Sequence, residues 1–296
     1  MKEITILSGK GGTGKSTITA SLSVLLSKDY DILSVDCDVD ASNLAILLGD
    51  KEPLEKEEIS TNEKAFLKNP DKCRGESCKK CVDLCTFSAI QWDQEKQKPE
   101  INKHLCEGCS ACKIACPENV FELKKVKNAF ITKIETDYEF PLISGQLKMG
   151  EAGSGKVVDL IKQKSREENK DIMISDSAAG ISCPVIASVR DSDYVIAVTE
   201  PSPAALSDLK RALNIVEQFG ISYGIIINRF DLNKKYSKEI EKFASNRGIK
   251  ILGKIPYDRV FVESLIEMTP VVERSQKYRD LFKEILMRIS EDSELF

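Results

Sequence analysis

Residues 9–17 carry the clearest chemistry in this sequence, because they read G-K-G-G-T-G-K-S-T and satisfy the pattern G-x-x-x-x-G-K-[ST]. An apolar run at 4–7 precedes them and a helical pattern at 18–26 follows. In a strand–loop–helix context, backbone N–H groups and the helix N-terminus converge on phosphate oxygens. We therefore predict that Lys15 reaches the outer phosphates of a nucleotide and that the Ser16 hydroxyl ligates Mg²⁺. The remaining predicted nucleotide-binding residues of the loop are Gly11, Gly12, Thr13, Gly14 and Thr17.

Cysteine is the second residue type whose spacing indicates chemistry, since eight of the ten cysteines fall between Cys73 and Cys116. Such clustering in a reducing compartment favours metal binding over disulfides. The two runs are Cys73-x4-Cys78-x2-Cys81-x3-Cys85 and Cys106-x2-Cys109-x2-Cys112-x3-Cys116-Pro117. Paired C-x2-C also suits zinc, but two complete four-cysteine runs favour [4Fe–4S] clusters.

Carboxylates end two further predicted strands. Residues 31–35 lead into Asp36-Cys37-Asp38-Val39-Asp40, and residues 171–175 lead into Asp176. Ligands in an open α/β sheet bind beyond the carboxyl ends of the strands, so these acids are expected beside the nucleotide. Asp40 is either an additional acid near Mg²⁺ or the N-cap of a helix at 43–48.

The alternation of strand and helix patterns predicts an α/β fold with a doubly wound, mostly parallel sheet. Residues 50–65 are polar and charged and are predicted to be a linker or a domain boundary. The cysteine block follows, and the α/β alternation resumes after it. We therefore predict a nucleotide-binding domain at 1–60 and 135–296 and an inserted α+β domain at 61–134.

Lys10 at the start of the phosphate loop gives K-G-G-x-G-K-[ST], which resembles the deviant Walker A family of MinD/ParA-type P-loop ATPases. The resemblance implies an ATPase that sandwiches two ATP molecules between two subunits, with Lys10 reaching the partner's nucleotide. It also implies that Asp38 positions the attacking water and that Gly180 donates its N–H near the γ-phosphate. Its catalytic set is Lys10, Lys15 and Asp38, its Mg²⁺ set is Ser16, Asp38 and Asp176, and its adenine-side set is Asn228, Arg229, Pro256 and Asp258.

The second cysteine run resembles the bacterial ferredoxin motif with its trailing proline. In two-cluster ferredoxins the fourth cysteine of a run ligates the other cluster. The resemblance therefore implies two [4Fe–4S] clusters. One is held by Cys73, Cys78, Cys81 and Cys116, and the other by Cys85, Cys106, Cys109 and Cys112.

Three features leave alternatives open. Cys183 is either a small buried thiol or an additional thiol site for a transient cluster or metal, while Cys37 is assigned to the core. The glycine-rich stretch at 150–156 is either a flexible loop or an anion or partner contact at a dimer face. A final helix at 275–289 is predicted to pack on the sheet. An alternative is a MinD-like membrane anchor, which the acidic tail ending in Glu294 argues against.

Composition limits the function classes. A net charge of −4 gives no support for nucleic-acid binding, and no apolar run approaches the ~18 residues that a membrane span needs. The N-terminus lacks a leader pattern, so a cytoplasmic location is predicted. The expected cofactors are ATP/ADP, Mg²⁺ and two [4Fe–4S] clusters, and the expected partners are a second copy under nucleotide control and a redox partner or cluster acceptor.

Three hypotheses about function follow. The first is an ATPase that couples nucleotide-dependent dimerisation to electron transfer through the clusters. The second is an ATP-dependent protein that assembles or carries iron–sulfur clusters or metallocofactors. The third is a MinD-like positioning switch in which the clusters sense redox state or brace the fold.

Overall fold

A computed structural model describes residues 1–49, 51–293 and 295, and these residues alternate between strands and helices. The strands are β1 (Lys2–Ser8), β2 (Ile32–Asp36), β3 (Glu55–Ile59), β4 (Asn62–Leu67), β5 (Ile90–Asp93), β6 (Lys98–Ile101), β7 (Phe121–Val126), β8 (Ala129–Glu135), β9 (Pro141–Leu147), β10 (Ile172–Ala179), β11 (Tyr194–Thr199), β12 (Ser222–Asn228) and β13 (Lys250–Ile255). The α-helices are α1 (Lys15–Leu26), α2 (Leu44–Leu48), α3 (Lys80–Asp83), α4 (Ala111–Ala115), α5 (Ser154–Arg166), α6 (Cys183–Val189), α7 (Pro203–Gln218), α8 (Lys234–Asn246), α9 (Arg259–Ile266), α10 (Val271–Arg274) and α11 (Gln276–Asp292). Two short 3₁₀ helices lie at Pro70–Lys72 and Gly75–Ser77.

Nine strands form one sheet in the order β13-β12-β11-β1-β10-β2-β9-β8-β3. From β13 to β9 every neighbouring pair is parallel. The inner strands are buried on both faces: in β11 every residue is buried, and in β1 every residue after Lys2. Near-continuous apolar runs of this kind are what a parallel sheet covered by helices on both faces requires. The predicted doubly wound, mostly parallel fold is therefore confirmed.

The chain divides into two compact units. Unit 1 comprises Met1–Glu57, Ile131–Gln146 and Ser154–Phe296, and unit 2 comprises Glu58–Phe130 and Leu147–Gly153. The boundaries predicted from the sequence were 61–134 for the insert, so residues 147–153 are a second segment of unit 2 that the sequence did not indicate.

Unit 2 contains two antiparallel ladders, β4 with β7 and β5 with β6. Its small core includes Ala65, Ile90, Val120 and Phe121 together with cysteine side chains. A core of this size buries little apolar surface. Small units commonly gain additional stability from bound metal.

Of the two alternatives predicted for residues 50–65, the linker is wrong, because this stretch contains β3 and most of β4. A boundary between the two units does fall within it, at 57/58. Charged residues dominate β3, and its first three residues, from Glu55, are exposed. A strand with so much exposed charge has no apolar alternation for the sequence to reveal. Asp50 lies outside the described residues.

The last helix, α11, packs against β13 and α1 as predicted. Its predicted apolar face is buried at Tyr278, Phe282, Ile285 and Ile289, and Leu286 is partly buried against the same core. Glu294, which belongs to the acidic tail invoked above, lies outside the described residues. Among the residues described, no helix combines the length and apolarity needed to cross a bilayer.

Replacing Phe282, which is fully buried, tests this packing. We expect Phe282→Ala to lower the free energy of unfolding by about 3 to 5 kcal/mol, because it removes buried apolar surface and leaves a cavity. Met287 on the same helix is 63% exposed, so Met287→Ala should change that free energy by less than about 0.5 kcal/mol. Equal effects of the two substitutions in urea unfolding would show that α11 does not pack through this face.

Candidate functional site

Site residues of unit 1 gather where parallel strands end, as expected for an open α/β sheet. The strands that supply them are neighbours in the sheet. The phosphate loop follows β1, Asp38 follows β2, Asp176 lies within β10, Glu200 follows β11, Asn228 ends β12, and Pro256 follows β13.

Glycine conformation shapes the phosphate loop. Gly12 and Gly14 have φ angles of 77° and 89°, in the left-handed region that residues with a Cβ rarely adopt. A Cβ on Gly14 would also lie 2.4 Å from the Asn228 Nδ2 atom. Asn228 Nδ2 donates a hydrogen bond to the Thr13 carbonyl at 2.7 Å, so the end of β12 is joined to the loop through this amide.

Lys15, Ser16 and Asp176 come together as predicted for the phosphate and Mg²⁺ site. The Lys15 Nζ atom lies 2.8 Å from Asp176 Oδ1, and both side chains are almost fully buried. The Ser16 hydroxyl donates to Asp176 Oδ2 at 2.6 Å. Thr19 donates to Asp176 Oδ1 at 2.8 Å and was not anticipated from the sequence. One carboxylate thus organises the first turn of α1.

Asp36 is a second buried carboxylate, one of the predicted strand-end acids but one to which the sequence assigned no specific role. Its oxygens accept hydrogen bonds from the backbone N–H groups of Asp38, Asn43 and Leu44 and from the Ser42 hydroxyl. Burial raises its pKa to about 6, and the nearby charge of Asp176 adds to the shift. Asp36 therefore caps α2, whereas Asp40 is exposed. The proposed capping role of Asp40 is wrong, since N–H groups at the start of α2 bond to Asp36.

Asp38 lines a cavity of about 440 Å³ together with the phosphate loop. Partial burial raises its pKa, while Lys15 opposes the shift. Ile46 and Leu265 provide apolar walls. A half-buried carboxylate facing a lysine and a hydroxyl has the chemistry needed to orient water or to approach a cation.

A neighbouring cavity of about 70 Å³ lies between the loop and the ends of β12 and β13. All four residues of the predicted adenine-side set line it: Asn228, Arg229, Pro256 and Asp258. The Asp258 carboxylate also caps α9 at Val260 and accepts a hydrogen bond from the Tyr278 hydroxyl at 2.8 Å. Its oxygens therefore already have partners within the protein.

Two residues predicted to contact nucleotide, Gly180 and Lys10, are engaged elsewhere. The Gly180 N–H donates to the Ser8 carbonyl at 2.9 Å. The Lys10 Nζ atom lies 2.5 Å from Glu200 Oε1. Glu200 also pairs with Arg229, and it belongs to no sequence motif that would have singled it out.

Cysteines in unit 2 fall into two sets that line two separate cavities. Each set contains three cysteines of one run and the last cysteine of the other. Cys73, Cys78, Cys81 and Cys116 line the first cavity, and Cys85, Cys106, Cys109 and Cys112 line the second. Among the described residues, no group of three or more histidine, cysteine, aspartate or glutamate side chains converges closely enough for a single metal ion.

Backbone donors point at three of these sulfurs. Ala65 N–H lies 3.3 Å from Cys106 Sγ, Ala89 N–H lies 3.3 Å from Cys85 Sγ, and Val120 N–H lies 3.5 Å from Cys116 Sγ. Hydrogen bonds of this kind stabilise negative charge on sulfur.

The stretch at 150–156 is divided between the two units. In unit 2, Glu151 pairs with the buried Lys64 at 2.7 Å, and the Ala152 carbonyl accepts hydrogen bonds from Asn62 and Asn128. In unit 1, α5 begins at Ser154. The segment 150–153 is a loop that leads into α5, as one of the two predictions had it, and polar contacts hold Glu151 and Ala152 in place.

The two remaining cysteines differ in exposure. Cys37 is fully buried, as predicted, and burial raises its pKa to about 12. Cys183 is exposed, so its interpretation as a buried thiol is wrong. It begins α6, and its Cβ lies 3.1 Å from the position of a Cβ on Gly155.

The phosphate loop, the acidic strand ends and the parallel sheet together define a P-loop nucleotide-binding protein. A family model described as CbiA, the CobQ/CobB/MinD/ParA nucleotide binding domain, matches residues 4–271. The chain belongs to this family.

Comparisons with individual proteins agree with this assignment. The uncharacterized protein MJ0578 of Methanocaldococcus jannaschii is 32% identical over 289 residues, which cover 98% of this chain and 96% of the relative. The septum site-determining protein MinD of Pyrococcus horikoshii, solved with Mg-ADP, aligns with a TM-score of 0.57 and 20% identity. The alignment covers 97% of this chain and 95% of that one, and it shows a shared fold.

A shorter similarity involves a different kind of protein. Indolepyruvate oxidoreductase subunit IorA of Pyrococcus abyssi is 43% identical over 54 residues, which cover 18% of this chain and 8% of that protein.

The contrast between Cys37 and Cys183 predicts their reactivity. At pH 8 a thiol with a pKa of about 12 is about 10⁻⁴ ionised, so iodoacetamide should leave Cys37 unmodified and label the exposed Cys183. Raising the pH to 9 should increase labelling at Cys37 by at most about tenfold from this negligible level. Peptide mass spectrometry of the folded protein measures both sites. Labelling of Cys37 at the rate of Cys183 would contradict its burial.

Proposed function

We propose that this protein is a MinD/ParA-like ATPase that carries two [4Fe–4S] clusters in unit 2. Family membership and the convergence of Lys15, Ser16 and Asp176 support nucleotide binding and hydrolysis. The division of eight cysteines into two sets of four is the observation that carries the cluster proposal. Under this proposal unit 1 is the ATPase domain and unit 2 is the inserted ferredoxin-like domain.

Hydrolysis at this site rests on positioning and charge. Lys15 would leave Asp176 for the phosphates, and Asp38 would orient the attacking water across the 440 Å³ cavity. Bound Mg²⁺ supplies charge neutralisation, and Ser16, Asp38 and Asp176 would hold it. Lys10 is the group that the deviant Walker A resemblance assigns to the partner's nucleotide in an ATP-bound dimer.

Cysteine placement fits the cluster proposal. Thiolate is the donor that iron–sulfur clusters take, and each cavity offers four. Donors at Ala65, Ala89 and Val120 would stabilise the ligated sulfurs. When bound, the clusters supply one-electron storage. The similarity of a 54-residue stretch of the chain to an oxidoreductase subunit supports a redox role for this protein.

We further propose that nucleotide-dependent dimerisation is coupled to electron transfer through the clusters to a protein partner. A positioning switch is the second candidate, and the fold shared with MinD favours it. The two differ in one observable, because only the first requires the cluster potentials to change with Mg-ATP. The cluster-carrier hypothesis stays a prediction that rests on the exposed Cys183.

Asp38→Asn tests the hydrolytic site. The amide keeps the shape of the side chain but loses the charge that orients water, so we expect kcat to fall by about 100-fold or more. Asp40→Asn is the matched control, because Asp40 is exposed in the same loop and does not line the cavity that Asp38 lines. It should retain kcat within about twofold. Phosphate release measured with Mg-ATP reports both. Comparable rates for wild type and Asp38→Asn would exclude Asp38 from this role.

Cluster content tests unit 2. Anaerobically purified protein should contain about eight irons per chain under this proposal, and Cys106→Ser should lower the iron content and visible absorbance by up to about half. Cys37→Ser should leave both unchanged, since Cys37 lies in unit 1 within the buried core. One zinc per four cysteines and no visible absorbance would support the alternative metal instead.

A further inference from the structure

Glu200 lies against two cations of the phosphate site. Its Oε1 atom is 2.5 Å from Lys10 Nζ, and its Oε2 atom is 3.2 Å from an Arg229 guanidinium nitrogen. The Glu200 side chain is 20% exposed, so solvent screens these pairs only in part. The same nitrogen of Arg229 donates to the Gly12 carbonyl at 3.2 Å. One carboxylate thereby holds both cations against the loop.

A second cation–carboxylate pair lies deeper in the same site. Lys15 is paired with Asp176, so all three cations of the site already have carboxylate partners within the same unit. Phosphate oxygens seek the same partners as these carboxylates, because both are oxyanions that bind lysine and arginine. A nucleotide must therefore replace carboxylate contacts and cannot simply add to free charges.

Asp176 and Glu200 have different roles in the proposed chemistry. Asp176 is a candidate Mg²⁺ ligand and bonds to Ser16 and Thr19, so it keeps a role when nucleotide is bound. Glu200 contributes to neither cavity lining, while its partner Arg229 lines both. Among the described residues, the Glu200 side chain pairs with Lys10 and Arg229 alone.

We propose that Glu200 is an internal competitor of the nucleotide phosphates, which holds Lys10 and Arg229 until a nucleotide displaces it. The inference rests on the nucleotide binding proposed above. When a site is available in only a fraction of molecules, its apparent Kd equals the intrinsic Kd divided by that fraction and is therefore higher. Removing the Glu200 charge should release both cations and tighten nucleotide binding.

Isothermal titration of the full chain with Mg-ATP and Mg-ADP measures the effect. We expect Glu200→Gln to lower the Kd for Mg-ATP about tenfold relative to wild type. Glu217→Gln is the matched control, because Glu217 pairs with Arg247 at 3.1 Å on the surface of the same unit and contacts neither cavity. It should leave the Kd unchanged.

A double variant isolates the mechanism. If Glu200 acts by holding Arg229, then adding Glu200→Gln to Arg229→Ala should yield less than half of the gain, on a logarithmic scale, that it yields in wild type. Glu200→Asp serves as a second single variant, since it keeps the charge but shortens its reach. Its Kd should fall between those of wild type and Glu200→Gln.

The outcomes separate this inference from the function on which it rests. Wild type that binds no nucleotide overturns both. Wild type that binds while Glu200→Gln binds equally or more weakly overturns the inference alone. A weaker Kd in particular would show that Glu200 positions the two cations for the phosphates. Circular dichroism melting of each variant confirms that the comparison is between folded proteins.

Discussion

A lysine ammonium buried beside a parallel sheet needs a carboxylate next to it, and the pair of Lys15 and Asp176 meets this requirement where α1 begins. Each ion loses several kcal/mol of hydration on burial. Removing one partner would leave the other charge buried and unpaired, which would destabilise the fold by about 3 to 5 kcal/mol. The pair joins the first turn of α1 to β10, and Ser16 and Thr19 complete the contacts of the carboxylate. The phosphate loop is therefore held by electrostatics at the place where the proposed chemistry occurs.

The same physical rule orders the neighbouring loops. Asp36 accepts three backbone N–H groups and one hydroxyl, and it thereby fixes the segment that presents Asp38. Glu200 likewise holds Lys10 and Arg229 in place through two ion pairs. Loops at the edge of a sheet have little apolar surface with which to pack, so hydrogen bonds to buried carboxylates define their conformation. The proposed competition between Glu200 and phosphate follows because carboxylates of the protein bind the same cations that nucleotide phosphates would bind.

Unit 2 follows a different rule, since cysteine side chains make up a large part of its small core. The chain passes between the units four times, at 57/58, 130/131, 146/147 and 153/154. Two of these crossings flank residues 147–153, where Glu151 and Ala152 are fixed to β4 by buried polar contacts. Each unit is thus joined to the other at four points of the chain.

The sequence by itself determined the phosphate loop, the parallel α/β sheet and the buried face of α11, because glycine spacing, apolar runs and helical periodicity are local patterns. It also indicated the two cysteine sets, through a spacing rule taken from ferredoxins. Only the tertiary structure revealed Asp36 as a cap, Glu200 as the partner of Lys10, the strand β3, and the membership of residues 147–153 in unit 2. Glu200 stands 190 positions from Lys10, and Glu151 stands 87 positions from Lys64. Pairs so distant in the chain meet through the order of strands in the sheet and the return of the chain from one unit to the other, and no local pattern encodes that order.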